Sequence, residues 1–264
     1  MIKLGVLGAG GRMGRAIIEA IFAEPDSFLV GGVERPGHPA CGNVLGDGLV
    51  VCANAAPVAH KADVLIDFTA PGALDEHLRA AMDGKAAIMI GTTGLEARHH
   101  AAIDAAAKVI PVLQAANTSL GITLLAALVQ EAARVLDSHW DIEIVEWHHR
   151  HKLDAPSGTA LLLGEAAAGG RGASLESLRL PPHETQDMAR RAGGIGFATV
   201  RAGSIAGDHQ VVLASEGERI ILSHSAENRD IFAAGAVRAA RWLAKQPAGR
   251  YTMGDMLGIR RALG

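Results

Sequence analysis

The sequence predicts an α/β protein, a Rossmann-like doubly wound parallel sheet joined to a second α+β domain built on a mixed sheet. Three observations carry this. Short apolar stretches alternate with helical periodicity over residues 1–119, and a glycine-rich turn joins the first stretch to the first helix. After Leu136 that rhythm gives way to strands at short spacing. Composition agrees: 49% hydrophobic residues and 32 glycines, against five Phe, three Trp and one Tyr, suit helices that pack closely on a sheet through small side chains. A chain of 264 residues can bury two ordinary cores, and this one is too apolar to be disordered.

Residues 2–7 form an apolar strand that runs into Gly8-Ala9-Gly10-Gly11-Arg12-Met13-Gly14. Met13, Ala16, Ile17, Ala20 and Ile21 then recur along one helical face, and Glu24-Pro25-Asp26 ends that helix. A second strand over 28–33 stops at Glu34-Arg35, completing a βαβ unit with the outline of a dinucleotide site. The common Gly-x-Gly-x-x-Gly register would need glycine at Met13; the glycines fit Gly8-x-x-Gly11-x-x-Gly14 instead. In this reading Gly8 and Gly11 let backbone N–H groups approach a pyrophosphate at the helix start, and Gly14 lets the helix lie close on the sheet. Glu34 is placed for ribose hydroxyls and Arg35 for a 2′-phosphate, so both NADH and NADPH are expected to serve. A glycine cluster alone fits a plain tight turn equally well; the βαβ context favours the cofactor.

Strands over 64–68, 86–90 and 109–113 alternate with helices over 73–82 and 96–108. The loops near their ends are distinctive: Phe68-Thr69-Ala70-Pro71, Gly91-Thr92-Thr93-Gly94 and Ala116-Asn117-Thr118-Ser119. Ligands of open parallel sheets lie at such carboxyl ends. A long helix over 120–136 follows, then a strand over 140–147, a helix over 158–168 and a polar connection over 169–194 that is too long for an ordinary loop. Strands over 195–201, 209–215 and 219–225 precede a last helix over 231–243. The change of pattern divides the chain into a dinucleotide-binding domain, 1–119 with 230–264, and a substrate-binding and oligomerisation domain, 120–229.

A net charge of −3 offers no general attraction to nucleic acid or an anionic membrane, so anion recognition must be local. Cys41 and Cys52 form neither a Cys-x-x-Cys motif nor a disulfide framework. The longest apolar run, over 122–129, is far short of the ~20 residues that span a bilayer, and the N-terminus enters a glycine loop too soon for a signal peptide. These features lead to the expectation of a cytoplasmic protein that handles a small molecule.

The densest chemistry lies between Glu146 and Thr159, where His148, His149 and His151 stand beside Arg150 and Lys152. Such crowding of positive charge is costly unless an anion sits against it. A metal site is not expected, because adjacent histidines on a strand point apart and Arg150 and Lys152 repel a cation. Pro156-Ser157-Gly158-Thr159 signals a helix start, with Ser157 as N-cap and the N–H groups of Gly158 and Thr159 as donors to a carboxylate. His149 with Arg150 or Lys152 can clamp a second carboxylate, which makes the ligand a small dicarboxylate. His148 and Lys152 then remain for proton transfer.

This stretch, Glu146-Trp147-His148-His149-Arg150-His151-Lys152 through Asp154-Ala155-Pro156-Ser157-Gly158-Thr159-Ala160, resembles the signature of the dihydrodipicolinate reductases, also called 4-hydroxy-tetrahydrodipicolinate reductases, of lysine and diaminopimelate biosynthesis. The resemblance extends to Gly8 through Gly14, Glu34-Arg35, Phe68-Thr69, Gly91 to Gly94, and Gly196-Phe197 through Arg201-Ala202-Gly203. It implies an NADH- or NADPH-dependent oxidoreductase with His148 as acid/base, Lys152 as proton donor, and His149, Gly158 and Thr159 on the substrate carboxylates. It implies cofactor contacts from Gly8, Ala9, Gly10, Gly11, Arg12, Met13, Glu34, Arg35, Gly91, Thr92, Thr93, Ala116, Asn117, Thr118 and Ser119. The family usually carries phenylalanine at Thr118, so an aromatic wall of the cofactor site is expected to be missing. It also implies a homotetramer joined through the mixed sheet. Two other readings fit the chain less well: a thiol-dependent semialdehyde dehydrogenase, for which both cysteines lie too early, and a non-enzymatic dinucleotide sensor, which leaves the His-Lys cluster unused.

Overall fold

The structure is a computed structural model that describes residues 1–182 and 189–259. The chain divides into two compact units, one of Met1–Leu120 and Asp230–Gly258, the other holding Gly121–Arg229. The first unit begins with β1 (Ile2–Leu7), α1 (Arg12–Ala23), β2 (Ser27–Val33), β3 (Val51–Cys52), α2 (Ala56–Ala59), β4 (Val64–Asp67), α3 (Leu74–Gly84), β5 (Ala87–Ile90), α4 (Ala97–Ala106) and β6 (Pro111–Gln114). The second contains α5 (Leu120–Val135), β7 (Asp141–His148), α6 (Gly158–Gly170), α7 (Leu175–Leu178), β8 (Ile195–Arg201), β9 (Gly207–Ser215) and β10 (Glu218–Ala226). The chain then returns to the first unit with α8 (Asp230–Leu243), β11 (Gly249–Tyr251) and α9 (Met253–Met256).

In the first unit, the described strands form a seven-stranded sheet in the order β3-β2-β1-β4-β5-β6-β11, every pair parallel. Strand order reverses between β1 and β4, and that switch point opens the crevice where doubly wound folds take their ligands. Both faces are covered. Leu4, Val6, Ile17, Ile21, Met89 and Leu243 belong to one core, and Leu7, Leu65, Leu78, Ile88 and Ile103 to the other. Strands buried on both sides are apolar throughout, which is why they were legible as short apolar runs. β3 and β11, two and three residues long, are too short to carry a periodic signal and were not expected.

In the second unit the order is β10-β9-β7-β8, with β7 parallel to β8 and antiparallel to β9. This mixed sheet is the expected one. Its inward face changes character along the strands. Ile142 pairs with Ile195 and Leu213, and Ile144 with Phe197 and Val211, all apolar; the next row is Thr199, Glu146, His209 and His224, and Arg201 pairs with His148 beyond it. Ile122, Leu125 and Val129 of α5 and Leu163 and Ala167 of α6 join the apolar rows in one core. The polar rows are left for chemistry.

The connection over 169–194 is ordered in its described parts. α7 is capped by Ser174, Arg171 bonds the carbonyls of Gly193 and Trp140, and Arg190 bonds the Ile142 carbonyl and Glu143. Residues 183–188 of that connection, and 260–264 of the expected first domain, lie outside the described residues. Among the described residues no helix is long and apolar enough to cross a membrane.

Candidate active site

Two polar regions coincide with the residues singled out in the sequence, one in each unit. In the first unit Gly8 turns the chain at φ +83°, and Gly11 is the N-cap of α1 without a side-chain cap. A Cβ on Gly14 would stand 2.0 Å from the Gly8 carbonyl oxygen, so only glycine lets α1 lie against the turn. The turn's own N–H groups are occupied: Gly8 and Ala9 donate to the Val33 carbonyl at 2.8 and 3.0 Å, Gly10 to Glu34 at 2.9 Å, and Gly11 to the Gly8 carbonyl at 3.0 Å. Gly8 and Gly11 therefore shape the turn rather than present donors. The N–H groups open to an anion belong to the first turn of α1, which starts at Arg12 and Met13.

Arg12 and Met13 line a cleft of about 560 Å³ with Gly91, Thr92, Thr93, Ala116, Asn117 and Thr118. The same cleft includes Phe68 and Thr69, from a strand-end loop that the sequence singled out, and Phe232, which no motif nominated. Thr118 is buried and donates through Oγ1 to the Phe232 carbonyl at 2.7 Å, while its own carbonyl lies where a Cβ on Gly235 would be, 1.9 Å away. Phe68 and Phe232 give the cleft aromatic surface. Glu34 is half-buried and held by the N–H groups of Gly10 and Arg35, and the Arg35 side chain is exposed beside it. Ser119 is buried behind Asn117, whose Oδ1 accepts its N–H. The uncapped helix start, the glycine contact at Gly14 and the aromatic-edged cleft fit a dinucleotide.

In the second unit, alternation along β7 turns Glu146 and His148 inward with Ile142 and Ile144. Glu146 is wholly buried and receives five donors: Arg201 through both Nη1 and Nη2 at 2.8 Å, the Ser157 N–H at 3.1 Å, Thr199 Oγ1 at 3.3 Å, and His148 Nδ1 at 2.5 Å. Burial raises its pKa, but the Arg201 fork and the His148 and Ser157 bonds outweigh that, and the carboxyl is held below its ordinary value. Burial in turn pushes His148 below its ordinary value, against the pull of Glu146, so the ring is neutral at neutral pH. An ionised carboxylate can only accept, so Nδ1 carries the proton and Nε2 the lone pair. Nε2 faces Gly207, where an added Cβ would stand 3.0 Å away.

The other sequence candidates surround this pair. Ser157 caps α6, its Oγ accepting from the Ala160 N–H at 3.1 Å, as its spacing predicts. Gly158 and Thr159 are the first two residues of that helix, Gly158 exposed. Lys152 donates to Asp154 at 2.9 Å, which draws the Asp154 carboxyl below its ordinary range. His149 points away from His148 and meets Arg229, Nε2 to Nη2 at 3.0 Å; burial and then the Arg229 charge lower its pKa. Arg150 and His151 are exposed. No cluster of metal-ligating groups occurs among the described residues.

Sequence reasoning gave no role to Arg201, named only within a stretch that carries the family resemblance, and did not single out His209. His209 is buried, its ring edge-on to His148 at 5.1 Å between centroids and its Nε2 3.1 Å from Ser157 Oγ. Burial, followed by the His148 charge, depresses it to about 4. An Arg and a His placed at one end of alternating strands were the only available signals, and neither discloses its partner.

The comparisons with known proteins agree with this geometry. The family model described as dihydrodipicolinate reductase, N-terminus, matches residues 2–118, and its C-terminus counterpart matches 121–257. The 4-hydroxy-tetrahydrodipicolinate reductase of Zymomonas mobilis is 53% identical over 262 residues, covering 98% of each chain, and that of Parvibaculum lavamentivorans 50% identical over 266 residues, again 98% of each. Among solved structures, a dipicolinate-bound dihydrodipicolinate reductase from Paenisporosarcina superposes with a TM-score of 0.80 at 24% identity, over 96% of this chain and 97% of that one. An amine dehydrogenase from Mycobacterium smegmatis shares the fold at a TM-score of 0.59 and 15% identity, over 96% of this chain and 95% of its own. A seven-stranded dinucleotide-type sheet, a buried His–Glu–Arg chain above a capped helix start, and matches along almost the whole length lead to one assignment: the chain belongs to the dihydrodipicolinate reductase family, whose members are NAD(P)H-dependent oxidoreductases.

Proposed function

We propose that this chain reduces the cyclic unsaturated imine dicarboxylate formed when 4-hydroxy-tetrahydrodipicolinate loses water, giving tetrahydrodipicolinate for lysine and diaminopimelate biosynthesis. The observation that carries the reading is the Arg201–Glu146–His148 chain: a neutral imidazole whose outer nitrogen is free to take a proton, backed by a carboxylate that stays ionised. The identity of the relatives named above, 53% and 50% over 98% of each chain, supports it.

The first unit is the dinucleotide-binding domain in this reading, with Arg12 and Met13 at the phosphates and the loops of Gly91 to Thr93 and Ala116 to Ser119 along the cleft. Gly8 to Gly11 shape the phosphate turn, and Glu34 addresses the ribose. When bound, NADH or NADPH supplies the hydride. In the second unit the start of α6 at Gly158 and Thr159 holds one substrate carboxylate and His149 the other, the helix dipole favouring the anion. Lys152 donates a proton from Nζ. His148 takes a proton at Nε2 and returns it, and the imidazolium formed in between is stabilised by Glu146. Arg201 keeps Glu146 from taking that proton itself.

Both cofactors are expected to serve. Glu34, fixed by Gly10, welcomes a ribose diol, while the exposed Arg35 beside it can pair with a 2′-phosphate. The kcat/KM values for NADH and NADPH should differ by less than a thousandfold. The chain is further expected to form a homotetramer through the mixed sheet, where Val200, Ile220 and Ile221 are exposed at 36, 40 and 48%. Light scattering at working concentration tests this. A thiol-dependent reaction finds no support, since both cysteines lie before β4 in the first unit.

The deciding experiment is an absorbance assay at the reduced-nicotinamide band, with substrate generated from pyruvate and aspartate semialdehyde. Oxidation of the cofactor that depends on that substrate is expected; tight dinucleotide binding with no turnover would reject the proposal in favour of a sensor.

A further inference from the structure

Asp67, the last residue of β4, is fully buried, and among the described residues no Arg or Lys is one of its hydrogen-bond partners. An isolated carboxylate in such a place is expensive unless its lone pairs are satisfied. Here they are filled in two halves. Oδ1 accepts from the Thr69 N–H at 3.0 Å, Thr69 Oγ1 at 2.6 Å and Thr92 Oγ1 at 3.3 Å. Oδ2 faces His77 Nδ1 of α3 at 2.8 Å, itself buried. The backbone joins in: the Gly91 N–H donates to the Asp67 carbonyl at 2.8 Å, and the Thr69 N–H also reaches Thr92 Oγ1 at 3.2 Å.

One residue thus ties the loop after β4 to the loop after β5. Thr69, Gly91 and Thr92 all line the 560 Å³ cleft, and the Phe68 ring between them fills the space where a Cβ on Gly91 would stand, 2.2 Å from Cζ. His77 does not line that cleft. The two halves of the carboxylate therefore serve different ends: Oδ1 organises the cleft and Oδ2 anchors the strand end to α3.

We infer that Asp67 is a positioning residue for the dinucleotide, holding the Phe68-Thr69 and Gly91-Thr92 loops in their binding geometry through Oδ1. This rests on the reading of the cleft as the cofactor site. An ordinary structural pair would weaken folding and cofactor binding together, whichever half is removed. A positioning residue separates them.

The test measures Kd for NADH and NADPH by fluorescence of the reduced nicotinamide without substrate, alongside thermal midpoints and steady-state kinetics. Asp67→Asn can keep both halves, its amide oxygen serving the threonines and its amide N–H the His77 nitrogen, so Kd should stay within about threefold. Asp67→Ala should weaken binding by about tenfold or more and raise KM for the cofactor, with KM for the dicarboxylate within about twofold. His77→Leu should lower the thermal midpoint yet keep Kd within about threefold. If Asp67→Ala does not fold, Thr69→Val, which removes an Oδ1 partner, should still weaken binding several-fold, while Thr69→Ser, which keeps that hydroxyl, should stay within about threefold. An unchanged Kd in Asp67→Ala, or in Thr69→Val where that must stand in, overturns the inference, as does an equal loss of binding in His77→Leu. Wild-type protein that binds neither dinucleotide overturns the cofactor reading itself; wild-type binding without turnover rejects the substrate reading and leaves Asp67 on trial alone.

Discussion

At the carboxyl ends of β1, β4, β5 and β6 the first unit presents mostly backbone. Its turn of glycines lies under an uncapped helix start, threonine loops border the cleft, and the Asp67 carboxylate that joins two of those loops is buried. The polar rows of the mixed sheet present the opposite: Arg201, Glu146 and His148 joined by side-chain hydrogen bonds, with His209 edge-on to His148 and bonded to Ser157. The difference teaches what each kind of site depends on. Backbone recognition needs the right φ and the absence of a Cβ, and it tolerates exchange of most side chains. Side-chain chemistry places charge in the interior, where removing one partner strands the next.

The comparison fails outright if the second unit tolerates loss of its chemistry. His148→Ala and Lys152→Ala should each reduce kcat by ~10²–10⁴, the usual size of a general acid/base contribution, with folding retained; turnover within tenfold of wild type in both would remove these roles. Next in size, Arg201→Met leaves Glu146 as a buried carboxylate short of its strongest partner, and should cost ~3–5 kcal/mol in denaturant unfolding. An exposed pair such as Arg134–Glu131 supplies the contrast, since breaking it should leave the unfolding midpoint almost unchanged.

His209 sharpens the same point through pH. Its folded value of about 4 lies below the ordinary 6.5, so the folded protein binds fewer protons than the unfolded chain between those values. The stability due to the neutral ring is complete above pH 6.5 and is lost as pH falls toward 4, a change on the order of 3 kcal/mol at most. In His209→Asn the thermal midpoint should vary less with pH across that window; an unaltered slope would show that His209 does not titrate as described.

In the first unit the largest expected effect comes from adding one methyl group. Gly14→Ala drives a Cβ into the Gly8 carbonyl and should cost ~1–3 kcal/mol and weaken dinucleotide binding, measured by calorimetry. Thr118→Ser should matter least, changing KM for the cofactor by only about threefold, less than ~1 kcal/mol, because it keeps the hydroxyl that bonds the Phe232 carbonyl. A tenfold change there would mean that the loop depends on its side chain after all.

Much of this molecule is legible locally. The alternation of β1, α1 and β2 follows from apolar periods, the Ser157 cap from the residues around it, and the roles of Gly8 and Gly14 from their spacing. Which N–H groups stay open was not legible, because the acceptors that occupy those of Gly8 and Gly11, the carbonyls of Val33 and Gly8, are set by how the turn folds back on β2. The domain roles follow from pattern and family resemblance together. β3 and β11 are held by their neighbours in the sheet, and so small a segment carries no signal of its own.

The sequence by itself determined the alternation of elements, the positions where only glycine fits, and the clustering of His148, Lys152 and the α6 start within one short stretch. These are short-range properties, fixed by backbone geometry and by side-chain period. Only the tertiary structure decided that Arg201, 55 positions away, grips Glu146, that His209 lies beside His148, and that Asp67 joins two loops through Thr69 and Thr92. Those partnerships depend on strand register, which pairs Glu146 with Thr199 and His209 and His148 with Arg201. A slip of one residue would turn the opposite set of side chains inward, and nothing in a strand's own sequence says which neighbour it will meet.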